Sequence, residues 1–334
     1  MKSLFLSFGI GIFLLSCQEG SNESTTPMPK PSGETIAFYN VENLFDTIDS
    51  KGISDGDFLP HGKKYWTQSR YLKKLKDLAQ VFNDLGPKGP AIIGLSEIEN
   101  KAVILQLIET AGYSEDDYEI VHYNSADNRG IDVALVFKKK YFRFISSESI
   151  RLVFPFDPDV LSRDILKVKL QGHQDELTIF VNHWPSRRDG TKETEPKRLF
   201  AAETLRGLVD EELKKDPNAD LVIMGDFNDA PEDQSLNAVL GASITKNEED
   251  LINLSARVKY KFPGTLVHDR EWLMFDQIIV SRNFKKKLTG KLEVFAPDYL
   301  LYQHSDGRKS PNKTYGSRYY GGYSDHLPVR IIFR

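Results

Sequence analysis

Seven short runs along the chain are mostly apolar: Thr35–Tyr39, Ala91–Leu95, Val133–Phe137, Thr178–Val181, Leu221–Met224, Gln277–Val280 and Val329–Phe333. Most are continuous rather than alternating, as strands buried on both faces tend to be. Between some of them the period becomes helical. In Ser69–Leu85, Leu72, Leu75, Leu78, Ala79 and Phe82 form one stripe. In Pro196–Leu213, Leu199, Ala202, Leu205, Leu208 and Val209 form another, with Pro196 suited to a first turn. Strands mixed with helices predict an α/β or α+β sandwich.

The residues at the strand exits carry more information. IAFY is followed by Asn40, IIGLS by Glu97, IFV by Asn182 and His183, and VIMG by Asp226, Phe227 and Asn228. One Asn or Asp at a strand exit is an ordinary turn residue. Four polar exits together point to one edge of packed sheets, where a rigid scaffold gathers groups for chemistry.

The N-terminus is set aside from the fold. Lys2 precedes a twelve-residue apolar run, Leu4 to Leu15, too short to span a membrane comfortably and suited to a signal-peptide core. It ends in Leu14-Leu15-Ser16-Cys17, which looks like a bacterial lipobox, cut before Cys17 and lipidated there. A plain secretory signal is the alternative. Cys17 is the only cysteine, so a body processed there has neither thiol chemistry nor a disulfide. Residues 1–17 are thus expected to be signal, 18–33 a polar, Pro-rich flexible tether, and 34–334 one catalytic domain without internal repeats. The expected location is the bacterial envelope, exported and lipid-anchored on the periplasmic side or the cell surface.

Composition changes this picture little. Of 334 residues, 28% are charged and 40% hydrophobic, enough for a large core. The net charge of −4 gives no global positive field, so a nucleic-acid substrate needs a local basic patch.

Asn40, Glu97, Asp226, Asn228 and Asp325 are the hard oxygen ligands that suit Mg²⁺. No Cys pair, His-rich tract or H-E-x-x-H offers a closed zinc site, and Gly94-Leu95-Ser96-Glu97-Ile98 lacks the closing glycine of a serine-hydrolase elbow. His183 precedes Arg187 and Arg188, two cations suited to gripping a phosphoryl oxygen or to a solvated loop. His326 lies in Tyr323-Ser324-Asp325-His326 before the last strand. Asp132, Glu42 and Glu99 lie near these motifs, with a turn or outward-facing role as the plainer reading. Asp49, Asp55 and Asp57 do not match an EF-hand. Asn312–Gly322, rich in Lys, Arg, Tyr and Gly, reads as a substrate loop or a surface loop.

The segments NVENLFD, GLSEIEN, NHWPSRR, GDFND, FDQIIV and GYSDHLPV occur in an order that resembles the endonuclease/exonuclease/phosphatase superfamily, from Ile36 to Phe333. NVENLFD and NHWPSRR look like its exported bacterial branch. The resemblance implies a deoxyribonuclease I-like four-layer sandwich, two packed mixed β-sheets flanked by helices. It implies metal binding at Asn40 and Glu97, with Asp325 completing the shell directly or through water. Asp226 would orient or deprotonate the attacking water, and Asn228 would hold that water or a phosphate oxygen. His326 would stabilise charge on the scissile phosphate, oriented by Asp276, with His183 as the second phosphate-contacting imidazole. Mg²⁺, with Mn²⁺ able to substitute, is the expected cofactor.

Three functions are expected on these grounds. The first is an extracytoplasmic, Mg²⁺-dependent endonuclease or phosphodiesterase, monomeric, acting on nucleic acid. The second keeps the centre but takes a phosphomonoester, phospholipid or sphingomyelin-like substrate. The third is a non-catalytic binding protein, against which stands a competent residue at every matched catalytic position.

Overall fold

The computed structural model describes residues 28–243, 250–258 and 264–334. The apolar signal run, the lipobox with Cys17, and the tether up to residue 27 lie outside the described residues. All seven apolar runs fall in strands. In chain order the main elements are β1 (Glu34–Leu44), α1 (Gln68–Asp84), β2 (Ile92–Ile98), α2 (Lys101–Thr110), β3 (Tyr118–His122), β4 (Asp132–Lys138), β5 (Arg143–Ile150), β6 (Ile165–Gln171), β7 (Glu176–His183), α3 (Thr191–Lys215), β8 (Asp220–Asp226), β9 (Asp276–Ser281) and β10 (Val329–Phe333).

Two mixed sheets form the sandwich. The first runs Glu293–Val294, β10, β1, β2, β4, β3. The second runs β5, β6, β7, β8, β9, then Leu251–Asn253 and Ala242–Ser243. Side-chain alternation divides the second sheet between two cores. Ile179, Val181, Val222, Met224, Ile278 and Val280 pack in the core shared with the first sheet. Phe180, Leu221, Ile223 and Ile279 pack with Ala201, Ala202, Leu205 and Val209 of α3. The sheets meet closely where β2 places Gly94, since a Cβ there would lie 2.6 Å from Met224 Sδ. Leu75, Leu78 and Phe82 of α1 and Val103, Ile104 and Leu107 of α2 join the first core. The layers are therefore helix, sheet, sheet, helix, as the resemblance implied.

Strand direction fixes where chemistry can gather. At the middle of each sheet two strands run parallel, β1 with β2 and β7 with β8. Their neighbours β10, β4, β6 and β9 are antiparallel to them. One edge of the sandwich thus collects the exits of these four parallel strands and the entries of their four antiparallel neighbours.

Three helical expectations are corrected. Leu72 is 53% exposed, and the buried face of α1 carries Tyr71 and Lys74 instead. Helix α3 begins at Thr191, so Pro196 sits in its second turn, and Leu199 and Leu208 are only half-buried. Arg198 supports the early start by donating to the Thr191 carbonyl at 2.9 Å and to Thr194 Oγ1 at 2.7 Å. The central face of α3 is narrow, Ala201 and Ala202, and its ends carry buried charges, Arg198 and Glu212.

Glu212 lies 3.1 Å from Lys167 Nζ, 2.6 Å from Lys169 Nζ and 3.0 Å from Lys215 Nζ. Burial alone would raise its pKa, but the three ammonium groups pull it down to about 2. A depressed carboxylate stabilises the fold above its unfolded value and loses that contribution as pH falls through the folded one. Glu212→Gln is expected to cost about 2–3 kcal/mol at pH 7. In urea titrations the deficit should shrink steadily as pH falls from about 4.5 toward 2; a deficit constant with pH would exclude this ion cluster as its source.

Candidate active site

The sheet edge is built from bulges and left-handed residues. The β1–β2 register breaks between Asn40 and Leu44, and the β2–β4 register breaks between Ser96 and Ile98, leaving Glu97 as an extra residue. Bulges re-aim side chains, here at the exits of β1 and β2. Glu42, Asn43, Glu97 and Asn228 have φ of 52°, 54°, 63° and 52°. Such strain in non-glycine residues clusters where surrounding contacts enforce a geometry. Here Asn43 N donates to Glu97 Oε2 at 2.9 Å, and Asn228 N donates to Asp226 Oδ1 at 3.0 Å.

Asp226 is the meeting point. Asn40 Nδ2 donates to its Oδ2 at 3.1 Å. His183 Nε2 lies 3.6 Å and His326 Nε2 3.9 Å from the same oxygen. The antiparallel register places Asp276 opposite Asp226, and His326 Nδ1 lies 2.7 Å from Asp276 Oδ2. Ser324 Oγ accepts from His326 N at 3.0 Å and donates to the Asn40 carbonyl at 2.7 Å, tying the entry of β10 to the exit of β1. Asn228 Nδ2 donates to the Trp184 carbonyl at 3.0 Å, holding the exits of β7 and β8 together. The structure thus brings Asn40, His183, Asp226, Asn228, Asp276 and His326 together, with Glu97 one hydrogen bond away on Asn43 and Asp325 beside His326.

The charges separate by environment. Burial, with Asp276 adding to it, pushes the Asp226 carboxyl up to about 7, against the pull of His326 and the donors Asn228 and Asn40. Burial would lower the His326 imidazolium, but the Asp276, Asp226 and Asp325 carboxylates overcome it and hold the pKa well above the ordinary value. Burial and the positive fields of Arg163, Arg129 and His326 hold His183 well below it. One histidine is charged and one neutral on either side of a single carboxylate.

One group among the described residues could hold a divalent cation. Asp226, Asp276 and His326 present ligand atoms within 4.8 Å of one another. Occupation there competes with the His326–Asp276 hydrogen bond. The set expected from the sequence, Asn40, Glu97 and Asp325, supplies one amide and two carboxylates. Asp325 is half-exposed, and its charge repels that of Glu97. Hard oxygens, mutual repulsion and access to solvent fit a hydrated divalent cation.

Other expected residues fall elsewhere. Arg187 is not aimed at the centre: it donates to the Asn228 carbonyl and Asp229 Oδ1, each at 2.6 Å, and also pairs with Asp233. Two carboxylates neutralise it, and it holds the His183 loop against the Asn228 turn. Arg188 is exposed on that loop. Asp132 starts β4 and is bound to His122 Nε2 at 3.0 Å and Ser125 N at 2.8 Å. Glu99 accepts from Asp46 N at 2.7 Å. Asp55 accepts from Ser50 N at 2.8 Å, closing a turn.

Sequence reading missed two supports. Glu42 accepts from Thr314 N at 2.6 Å and Tyr315 N at 2.8 Å, while Lys74 donates to Thr314 Oγ1 at 2.6 Å and to the Tyr323 carbonyl. Together they pin the loop that delivers Ser324, Asp325 and His326. On the His183 side, buried Arg163 pairs with Asp127 at 3.0 Å and donates to the Trp184 carbonyl at 2.6 Å. A lysine at helical spacing with Tyr71, Leu75 and Leu78 was the available signal for the first.

The sequence pattern of the Endonuclease/Exonuclease/phosphatase family matches residues 35–334. The chain belongs to that family. No curated protein sequence matches it. Among solved structures it resembles an endonuclease/exonuclease/phosphatase family protein from Bacteroides thetaiotaomicron, at 18% identity and a TM-score of 0.57, over 92% of this chain and 100% of that one. It resembles a mannosyl-6-phosphatase from the same organism at 17% identity and a TM-score of 0.57, over 89% and 98%. It also resembles D. rerio TDP2 complexed with a single-strand DNA product, at 16% identity and a TM-score of 0.53, over 91% and 99%. At these identities the likeness is one of fold. The endonuclease/exonuclease/phosphatase family consists of phosphoester hydrolases, and this chain is one by membership.

Proposed function

We propose that the protein is an extracytoplasmic, Mg²⁺-dependent phosphodiesterase whose substrate is nucleic acid. The observation that carries the reading is Asp226 Oδ2 set between two imidazoles, 3.6 Å from His183 Nε2 and 3.9 Å from His326 Nε2. Asp226, its pKa raised to about 7, takes the proton of the attacking water. Asn228 positions that water or a phosphoryl oxygen. The His326 imidazolium, held by Asp276, donates Nε2–H to the oxygen on which charge develops. Neutral His183 donates a hydrogen bond to the same phosphoryl group. Asn40, Glu97 and Asp325 would hold a divalent cation, which would supply neutralisation of phosphate charge and a water of lowered pKa.

The balance of charge favours a diester. Arg187, the cation beside Asn228, is neutralised by Asp229 and Asp233, so the centre offers less positive charge than a dianionic monoester calls for. A plasmid-nicking and RNA-cleavage assay with Mg²⁺ or Mn²⁺ tests the proposal, with EDTA expected to abolish turnover. Failure to cut DNA and RNA with either metal sinks the nuclease reading. The likeness to a mannosyl-6-phosphatase favours a second reading, a sugar phosphomonoesterase, which the same screen extended to sugar phosphates decides.

The proposal extends to location. Lys2, the apolar Leu4–Leu15 run and Cys17 support export and lipid anchoring. Expressed in full in a bacterial host, the chain should partition with membranes, and Cys17→Ser should release it to the soluble fraction. Equal partitioning of both would refute the anchor.

A further inference from the structure

Next to the Asp325–His326 entry stands a wall made by two interlocked loops, residues 56–66 and 312–322. Tyr315 Oη donates to the Lys64 carbonyl at 2.8 Å, and its ring lies 6.3 Å from Phe58 and 5.8 Å from Trp66. Lys64 Nζ sits 4.4 Å over the Tyr315 ring. Arg70 Nη1 holds the Lys64 and Tyr65 carbonyls at 2.6 Å and 3.0 Å. Glu42 fixes the base of the second loop from inside, and a side chain at Gly322 would overlap the Asn312 backbone. The inner face is therefore a packed aromatic cluster that cannot easily rearrange.

The outer face is different. Tyr65 is 64% exposed and Tyr320 is 47% exposed. Tyr65 takes φ +48°, a conformation costly for a bulky residue unless its surroundings enforce it. Lys313 and Arg318 are exposed beside Tyr320, while Lys63, exposed near Tyr65, pairs with Asp57 at 3.4 Å. Lys313 Nζ and Arg318 Cζ lie 5.8 Å and 5.6 Å from the Tyr320 ring. A protein of net charge −4 thus carries a local basic, aromatic surface, and it ends five residues from Asp325.

We infer that this wall binds single-stranded nucleic acid beside the scissile phosphodiester, with bases stacking on Tyr65 and Tyr320 and phosphates meeting Lys313 and Arg318. Stacking on exposed rings requires bases that are not already stacked in a duplex. The chain continues from Tyr320 through Tyr323 and Ser324 to Asp325, so the wall and the centre share one loop. A lipid surface in the same place would cover the mouth of the site. The inference rests on the phosphodiesterase reading and names its substrate more closely.

The test measures binding and turnover separately on the full-length protein. In EDTA, anisotropy of a short fluorescent single-stranded oligonucleotide should show binding that weakens as salt rises. The Tyr65→Ala/Tyr320→Ala double variant should bind roughly tenfold or more weakly, and Lys313→Gln/Arg318→Gln should flatten the salt dependence. Hydrolysis of bis(p-nitrophenyl) phosphate with Mg²⁺ or Mn²⁺, a diester too short to reach the wall, should be unchanged in both. Equal oligonucleotide affinity in wild type and variants overturns the inference. So does a wild type that ignores the oligonucleotide but binds anionic phosphatidylglycerol vesicles through the same residues. An oligonucleotide bound through the wall but never cut supports the wall while defeating the nuclease reading.

Discussion

Asp226→Asn is expected to lower kcat by about 10³–10⁴-fold while leaving the melting temperature within a few degrees. The substitution keeps shape and volume but removes the one group placed to accept the water proton. Asn228 N and Asn40 Nδ2 both donate to Asp226, and an asparagine oxygen can still accept from one of them. KM should move little, because the lost interaction belongs to the transition state. Asp226→Ala should add a stability cost, since those donors lose their acceptor. Retention of wild-type kcat within tenfold in Asp226→Asn, across a full pH range, would remove Asp226 as the base.

That centre was legible in the sequence because of strand direction. Asn40, Glu97, His183 and Asp226 each close an apolar run, and parallel pairs at the middle of each sheet bring those exits to one edge. Asp276 and His326 lie at or before the entries of antiparallel strands, the same edge approached from the other side. Adjacency could not show what Arg187 does, because its partners Asp229 and Asp233 lie 42 and 46 residues away. Proximity to His183 suggested a phosphate contact, and a closer carboxylate pair claimed the guanidinium.

The helix α1 stripe is buried at Leu75, Leu78, Ala79 and Phe82 and fails at Leu72 for a related reason. Apolar spacing selected Leu72, while the buried face takes Tyr71, Lys74 and Val81 in addition. A lysine there breaks the hydrophobic pattern because tertiary contacts with Thr314 and Tyr323 compensate its burial. Strand β5 was invisible because most of its residues are exposed at a sheet edge, leaving no apolar run to find. Its neighbour β6 alternates apolar residues with Lys167 and Lys169, whose charges are met by Glu212 on α3.

The second large effect concerns Asp276→Asn, and its signature is a change in pH profile as well as in rate. Asp276 is fully buried, and its Oδ2 meets His326 Nδ1 at 2.7 Å. In the wild type the base limb and the acid limb are set by different groups. Activity should rise as pH rises through the Asp226 value of about 7, or lower once a divalent cation adds positive charge nearby. It should fall only where the His326 imidazolium deprotonates, well above the ordinary histidine value because of Asp276 and its neighbours. Replacing the Asp276 carboxylate removes the largest raising charge, so burial regains control and the imidazolium deprotonates at lower pH. The alkaline limb then moves down toward the acid limb, and the interval in which Asp226 is ionised and His326 charged narrows. At pH 8, kcat/KM should drop by about 10²–10³-fold, with partial recovery at lower pH. An unaltered alkaline limb in Asp276→Asn would mean that Asp276 does not govern His326, and the charge separation on which the centre depends would need another source.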